Sequence, residues 1–281
     1  MIHFFLSAEG LPIAVQARLS GRSRSSMYYK HKQPAKDAAF LEEVQAIHEA
    51  HPYYGYKRIA NVLHVSHKRT YRIMREHKIR AKSSRRRRGK NQYSTSKTSL
   101  PNLLKDMTIE HPNQAWAGDF THFTWKRRTY YLATVMDIFT RQIVGWHVSP
   151  SHSVELVLEA LKMALGKRSK APKIFHSDHG SEYISDEYVT KLKAHDITPS
   201  NSAKGKPWQN GFVESWNYRF KEELGDPNRF DVFEKLFQEL CSKFTEYNAG
   251  RIHSALKMSP DAFHTLQMLE QTEQKDLAEA A

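Results

Sequence analysis

The chain has 281 residues, a formal net charge of +13 and a single cysteine, Cys241. One cysteine excludes an intrachain disulfide framework and a zinc finger built on paired cysteines, and it fits a reducing cytoplasm. No stretch approaches the ~18 apolar residues that span a membrane, and Met1 to Leu6 lacks the basic start of a signal peptide, so none is expected. Residues 1–100 hold 21 Lys/Arg against 6 Asp/Glu, whereas residues 101–281 hold 22 against 24. Such asymmetry suggests a polyanion-binding module joined to a near-neutral body.

In chain order, residues 1–35 form a short helical segment, with Ile13, Val15 and Leu19 as its apolar positions. A turn at Ser20 to Ser23 precedes a second, serine-capped start near Tyr28. Residues 36–80 carry three helices. Phe40, Leu41, Val44 and Ile47 recur at helical spacing in the first, and the second runs from Tyr56 to Leu63. The third runs from Ser66, read as its capping residue, to His77 and carries Lys68, Arg69, Arg72 and Arg75. A basic helix after a short turn is what a helix-turn-helix presents to a DNA major groove. Residues 81–107 read as a basic flexible linker, in which Arg85, Arg86, Arg87 and Arg88 are expected to engage phosphates.

From residue 108 the pattern changes. Gln114–Trp125, Arg128–Asp137 and Gln142–Ser149 are aromatic and β-branched runs, read as an antiparallel meander. A helix over Ser153–Gly166, a buried strand over Lys173–Asp178, a helix over Ser185–His195 and a strand over Ile197–Asn201 follow. Residues 201–206 form a polar loop, Pro207 to Glu223 a helix, and Phe230–Tyr247 an amphipathic helix. Cys241 lies in the last of these and is read as a buried structural thiol. The tail beyond residue 265 is polar and expected to fray. This order predicts an α/β catalytic core over 108–225, with a ribonuclease H-like mixed five-stranded sheet and flanking helices. A small all-α helix-turn-helix domain precedes it, and a helical extension over 226–281 follows.

In that topology the first strand lies beside the fourth. Asp119 on strand one and Asp178 at the end of strand four then sit side by side, and Glu214 on the late helix points at both. By count, 35 residues separate Asp178 from Glu214. Three converging carboxylates can hold two hard divalent cations at roughly 4 Å separation, the equipment for in-line phosphoryl transfer. Without cations they repel, so partial protonation or poor order is expected. Lys204 and Lys206 are expected to hold DNA phosphates near the cations. Asp137, one strand over, reads as structural, and Glu182 as solvent-facing. His176, His179 and His253 form no zinc-type pattern, with at most a minor role for His179. Asn210 and Trp208 suit DNA contact and helix-start packing equally.

These motifs resemble the IS-three family of insertion-sequence transposases, specifically its downstream-frame product OrfB, which has a DDE integrase core similar to that of retroviral integrases. The resemblance rests on Tyr54 to Ile59 with Arg72 to Glu76, on Pro112 to Thr121, on Met136 to Trp146, on His176 to Tyr183 and on Gly205 to Asn217. A C-terminal signature of Tyr247-Asn248, Arg251, His253 and Ser259-Pro260 is taken as structural. Gly118-Asp119-Phe120 stands where the aspartate usually has a more polar or β-branched neighbour, and Glu182 where glutamine is common; neither removes a metal ligand.

The resemblance implies a transposase that cleaves and joins element ends to target DNA. Its site would be Asp119, Asp178 and Glu214 with two Mg²⁺ or Mn²⁺ ions. It also implies homo-oligomeric assembly on paired DNA ends, a bacterial cytoplasmic setting, and an upstream-frame protein, OrfA, as fusion or partner. That frame's own helix-turn-helix and leucine zipper are not evident in the first 30 residues. Two competing readings are a ribonuclease H-like nuclease without strand transfer and a non-catalytic DNA-binding regulator. Asp119→Ala would leave the regulator unchanged.

Overall fold

The computed structural model describes residues 12–21, 23–24, 33–82, 100–105, 107–202 and 210–279. It divides into two compact units, Met1–Lys82 and Ser83–Ala281.

In the first unit, α1 (Ile13–Ser20) ends on Gly21, whose φ of 66° suits the left-handed cap position. The serine-capped start near Tyr28 lies largely outside the described residues. Helices α2 (Gln33–Ala50), α3 (Tyr56–Val62) and α4 (His67–Glu76) bury Phe40, Val44, Tyr54, Ile59, Ile73 and Met74 together. The short turn between α3 and α4 is the helix-turn-helix arrangement expected. Ser66 occupies the N-cap of α4, yet its hydroxyl makes no capping hydrogen bond, which corrects the capping role read for it.

The second unit is built on β1 (Ala115–Trp125), β2 (Arg128–Asp137), β3 (Ile143–Ser149), β4 (Ile174–Ser177) and β5 (Thr198–Asn201). The sheet order is β3-β2-β1-β4-β5. The three-strand meander is antiparallel, and β1 pairs parallel with β4, Ala117 opposite His176. The β1–β2 turn places Lys126 and Arg127 at φ 46° and 65°, the left-handed pair that a tight hairpin needs. Neither residue is glycine, and the turn is braced by Lys126 N–H donating to Asn228 Oδ1 at 2.8 Å.

Strand alternation sorts the side chains into two cores. Trp116, Ala133, Val135 and Val144 pack with α5 (Val154–Lys167) and α6 (Asp186–Lys193) on one face. Ala115, Ala117, Phe123, Leu132 and Met136 pack on the other with α7 (Gly211–Leu224) and α8 (Phe233–Thr245), through Val213, Trp216, Phe220, Leu236, Leu240 and Phe244. The helices after residue 225 therefore share a core with the sheet. Asn248 fastens them further: its side-chain amide accepts from Ile143 N–H and donates to Ile143 C=O, both at 2.9 Å, on edge strand β3. Arg251 pairs with Glu223 of α7.

Two glycines allow close approach. A Cβ on Gly145 would come within 2.2 Å of the Ala160 carbonyl of α5, and one on Gly118 within 2.6 Å of the Phe175 ring. The second contact explains why glycine precedes Asp119 in place of a bulkier residue.

Cys241 is half-buried rather than buried, and burial raises its thiol pKa. The C-terminal tail does not fray at residue 265, because α9 runs from Pro260 to Glu279. That run lacks glycine and internal proline and is rich in Leu, Gln, Met and Glu, so helix propensity outweighs its polarity.

Candidate active site

The alternation of β1 determines where Asp119 points. It shares the parity of Ala115 and Ala117, and so faces α7 rather than α5. Asp178 follows directly on β4, next to β1, with the parity of Ile174. Glu214 lies in the first turn of α7, where Val213, Trp216, Phe220 and Leu224 fix the buried stripe and leave Glu214, Asn217 and Lys221 on the adjoining one. The structure brings Asp119, Asp178 and Glu214 within electrostatic reach of one another.

Burial, then the charges of Asp178 and Glu214, pushes the Asp119 pKa up to about 8, against the lowering effect of the Asn217 hydrogen bond. Burial and the Asp178 charge raise Glu214. Burial also raises Asp178, joined by the Glu182 charge and opposed by the Gly180 N–H that its Oδ1 accepts at 2.9 Å. Among the described residues no Lys or Arg lies within salt-bridge distance of these carboxylates, and no three acidic, histidine or cysteine side chains form a ready metal cage. Burial leads each of these shifts and repulsion from a neighbouring acid adds to it, and a nearby cation would oppose both. The donor set is all oxygen, which suits Mg²⁺ or Mn²⁺.

Three asparagines brace the site, one on a carboxylate and two on main-chain carbonyls. Asn217 Nδ2 donates to Asp119 Oδ2 at 2.8 Å, Asn210 Nδ2 donates to the Gly118 carbonyl at 3.0 Å, and Asn201 Nδ2 donates to the Asp178 carbonyl. Asn210 is thus buried packing at the start of α7, which decides between its two readings, while Trp208 lies outside the described residues. Lys221 lies within electrostatic reach of Asp119, which opposes the downward shift burial causes in its pKa. Sequence reasoning assigned no role to Asn217, Asn201 or Lys221. Positions 217 and 221 were readable as three and seven residues beyond Glu214, one stripe of a helix.

Glu182 is buried, not solvent-facing, and pairs with His152 at 3.1 Å. Its partner arrives from the segment after β3, a contact that local spacing does not encode. Asp137 is structural: it is fully buried and accepts from the N–H groups of Asn113, Phe139 and Thr140 at 2.8, 2.9 and 3.2 Å. His176 is buried, its pKa lowered to about 4 by that burial, and its Nδ1 lies 2.9 Å from Ser200 Oγ. Lys204 and Lys206 lie outside the described residues, as do Arg85, Arg86, Arg87 and Arg88.

On α4 the four basic residues divide. Arg69 Nη2 and Arg72 Nη2 meet Asp37 of α2 at 3.2 and 2.7 Å, and Arg69 also lies over the Phe40 ring. Lys68 and Arg75 are exposed on the outer face beside Tyr71.

Comparison with known proteins agrees with both units. Residues 109–207 and 195–260 match models described as integrase core domain, and residues 34–88 match an HTH-like domain. The transposase for insertion sequence element IS904 of Lactococcus lactis is 34% identical over 239 residues, covering 80% of this chain and 94% of that protein. The chain belongs to the IS-three family of insertion-sequence transposases. Transposase InsF of IS3A from Escherichia coli, another relative of this transposase, is 35% identical over 68% of this chain and 67% of its own length. Two solved structures are also similar. The HTLV-2 integrase catalytic core domain is 19% identical with a TM-score of 0.46, over 55% of this chain and 97% of that one. The simian T-cell lymphotropic virus intasome is 19% identical with a TM-score of 0.49, over 79% and 74%. Among the described residues of this transposase, no helix is long and apolar enough to cross a membrane.

Proposed function

We propose that the chain cleaves insertion-element ends and joins them to target DNA at a DDE site made of Asp119, Asp178 and Glu214. The observation that carries this reading is the cluster itself: three carboxylates from β1, the end of β4 and α7, each raised by burial and by a neighbouring acid, with no salt bridge to Lys or Arg among the described residues. Two Mg²⁺ or Mn²⁺ ions bound there would supply positive charge to the attacking and leaving oxygens of an in-line displacement.

The protein's part is placement. Asn217 holds one oxygen of Asp119 and the Phe120 N–H holds the other at 2.9 Å, so the carboxylate plane is fixed by α7 and β1 together. Gly180 N–H fixes Asp178. Lys221 lies where it can take a non-bridging phosphate oxygen and orient the scissile group. In cleavage, water oxygen bonds to phosphorus, the bond to O3′ breaks, and the element end keeps a 3′-hydroxyl. In transfer, that 3′-oxygen bonds to a target phosphorus, and a target 3′-hydroxyl leaves with the proton.

Family membership supports the remaining parts of the reading. The helix-turn-helix over 36–80 binds DNA through Lys68 and Arg75, together with Arg85, Arg86, Arg87, Arg88, Lys204 and Lys206. The transposase works as a homo-oligomer on paired ends, in the bacterial cytoplasm, with the upstream-frame OrfA as fusion or partner. The test is cleavage of a labelled element end by Asp119→Asn, Asp178→Asn and Glu214→Gln. Each should lose cleavage while gel-shift affinity stays at the parent value. Retained cleavage, or cleavage and binding lost together, would refute the site.

A further inference from the structure

Glu182 lies four residues beyond Asp178 and is only 7% exposed. A carboxylate this buried is costly unless its oxygens are satisfied. Its Oε1 stands 3.1 Å from His152 Nδ1, but its Oε2 is buried with no hydrogen-bond partner among the described residues. His152 is held in turn by the rings of Phe120 and Tyr131, with centroids 4.4 and 4.9 Å away. One oxygen of Glu182 is therefore anchored, and the direction of the other is determined by that anchor.

The second oxygen borders the same glycine as Asp178. A Cβ built on Gly180 would meet Asp178 Oδ1 at 3.1 Å, and Glu182 Oε2 and the Phe120 ring each at 3.3 Å, so both oxygens and the ring edge border one small space left open by the missing side chain. A carboxylate only accepts hydrogen bonds. Asp178 Oδ1 already accepts from Gly180 N–H, so Glu182 Oε2 is the acceptor there without a donor; a donor or a cation would satisfy it, and a DNA phosphate would be repelled. A structural contact with His152 accounts for Oε1 and leaves Oε2 unexplained.

We infer that Glu182 is a fourth acidic member of the cation site. Clamped by His152 through one oxygen, it offers the other to the hydration shell of a divalent cation held at Asp178. Mg²⁺ keeps several waters when bound by few carboxylates, and outer carboxylates that accept from such waters fix the ion's orientation and raise its affinity. The inference rests on the reading of Asp119, Asp178 and Glu214 as cation ligands. It makes Glu182 a positioning residue rather than a catalytic one.

The experiment is Mn²⁺ binding to the full-length, metal-free chain, read by electron paramagnetic resonance of free Mn²⁺, beside melting in EDTA. Asp178→Asn should lose saturable binding. Glu182→Gln, which can still accept from His152, should weaken Mn²⁺ by roughly tenfold or more without lowering the EDTA melting temperature. Glu182→Asp, with the charge kept but drawn back by one methylene, should fall between the parent and Glu182→Gln, and it serves as the folding-safe variant. An affinity for Glu182→Gln or Glu182→Asp equal to the parent, with binding lost in Asp178→Asn, overturns the role of Glu182 alone. Binding unaffected by Asp178→Asn, or immeasurable in every form, overturns the cation reading and this inference with it.

Discussion

Asp37 in the helical unit and Asp119 in the sheet unit are both carboxylates drawn away from water, and their neighbours are opposite in kind. Asp37 meets Arg69 and Arg72, and the Arg72 hydrogen bond, foremost, holds it below the usual carboxylate range. Asp119 meets burial and two further acids, which hold it far above that range. The first arrangement is complete in itself and fastens α2 to α4. The second is stable only if protons or cations are supplied from outside. The contrast teaches that basic residues on the last helix of a helix-turn-helix can be structural, and that acids left without a basic partner are the ones whose cost a bound cation would relieve.

The largest effect should come from removing the unpaired acids. Asp119→Asn, Asp178→Asn or Glu214→Gln should each lower strand cleavage about a thousandfold or more, since metal charge stabilisation is worth several kcal/mol and each ~1.4 kcal/mol is tenfold in rate. Lys221→Ala should cost roughly ten- to hundredfold in cleavage and joining, the worth of one charge-assisted contact to phosphate, with arginine restoring part of it. Full activity in Lys221→Ala would show that this side chain only covers the site.

The pH response tests the contrast without DNA. Asp119 has a folded pKa near 8, above its ordinary value of 3.8. Its contribution to stability is therefore full below about pH 4 and lost as pH rises through about 8. In EDTA the melting temperature should fall across that window, and Mg²⁺ should restore more of it at high pH than at low. Asp119→Asn should flatten the fall, and an unchanged slope would contradict the burial of an unpaired acid. His176 acts in the other direction: its folded pKa near 4 lies below its ordinary 6.5, so its contribution is present above about pH 6.5 and lost on acidification through about 4.

The smallest effects separate the basic residues of α4. Lys68→Ala and Arg75→Ala should each reduce the salt slope of DNA binding by about one and leave melting unchanged. Arg69→Ala and Arg72→Ala should lower the melting temperature with little change in slope. The reverse pattern would place the DNA on the Asp37 side of the helix.

Much of the fold was legible because the strands of the meander are long aromatic and β-branched runs. The expected Arg128–Asp137 is the observed second strand, and the other two differ by one residue at one end. The grouping of the three carboxylates proposed as catalytic was legible because each lies in a distinctive motif and the crossover brings strand four beside strand one. Glu182 was not legible, since its partner His152 comes from 30 residues upstream through the tertiary fold. The C-terminal helix was misjudged because polarity was weighed over propensity. Lys221 and Asn217 were within reach of periodicity once Glu214 had been placed on a helix.

The most direct test is strand transfer from a pre-cleaved, labelled element end into plasmid DNA, in Mg²⁺ and in EDTA, with the parent chain and Glu214→Gln side by side. The account predicts joined product only from the parent chain in Mg²⁺. Joined product that persists in EDTA, or that Glu214→Gln still makes, would contradict it.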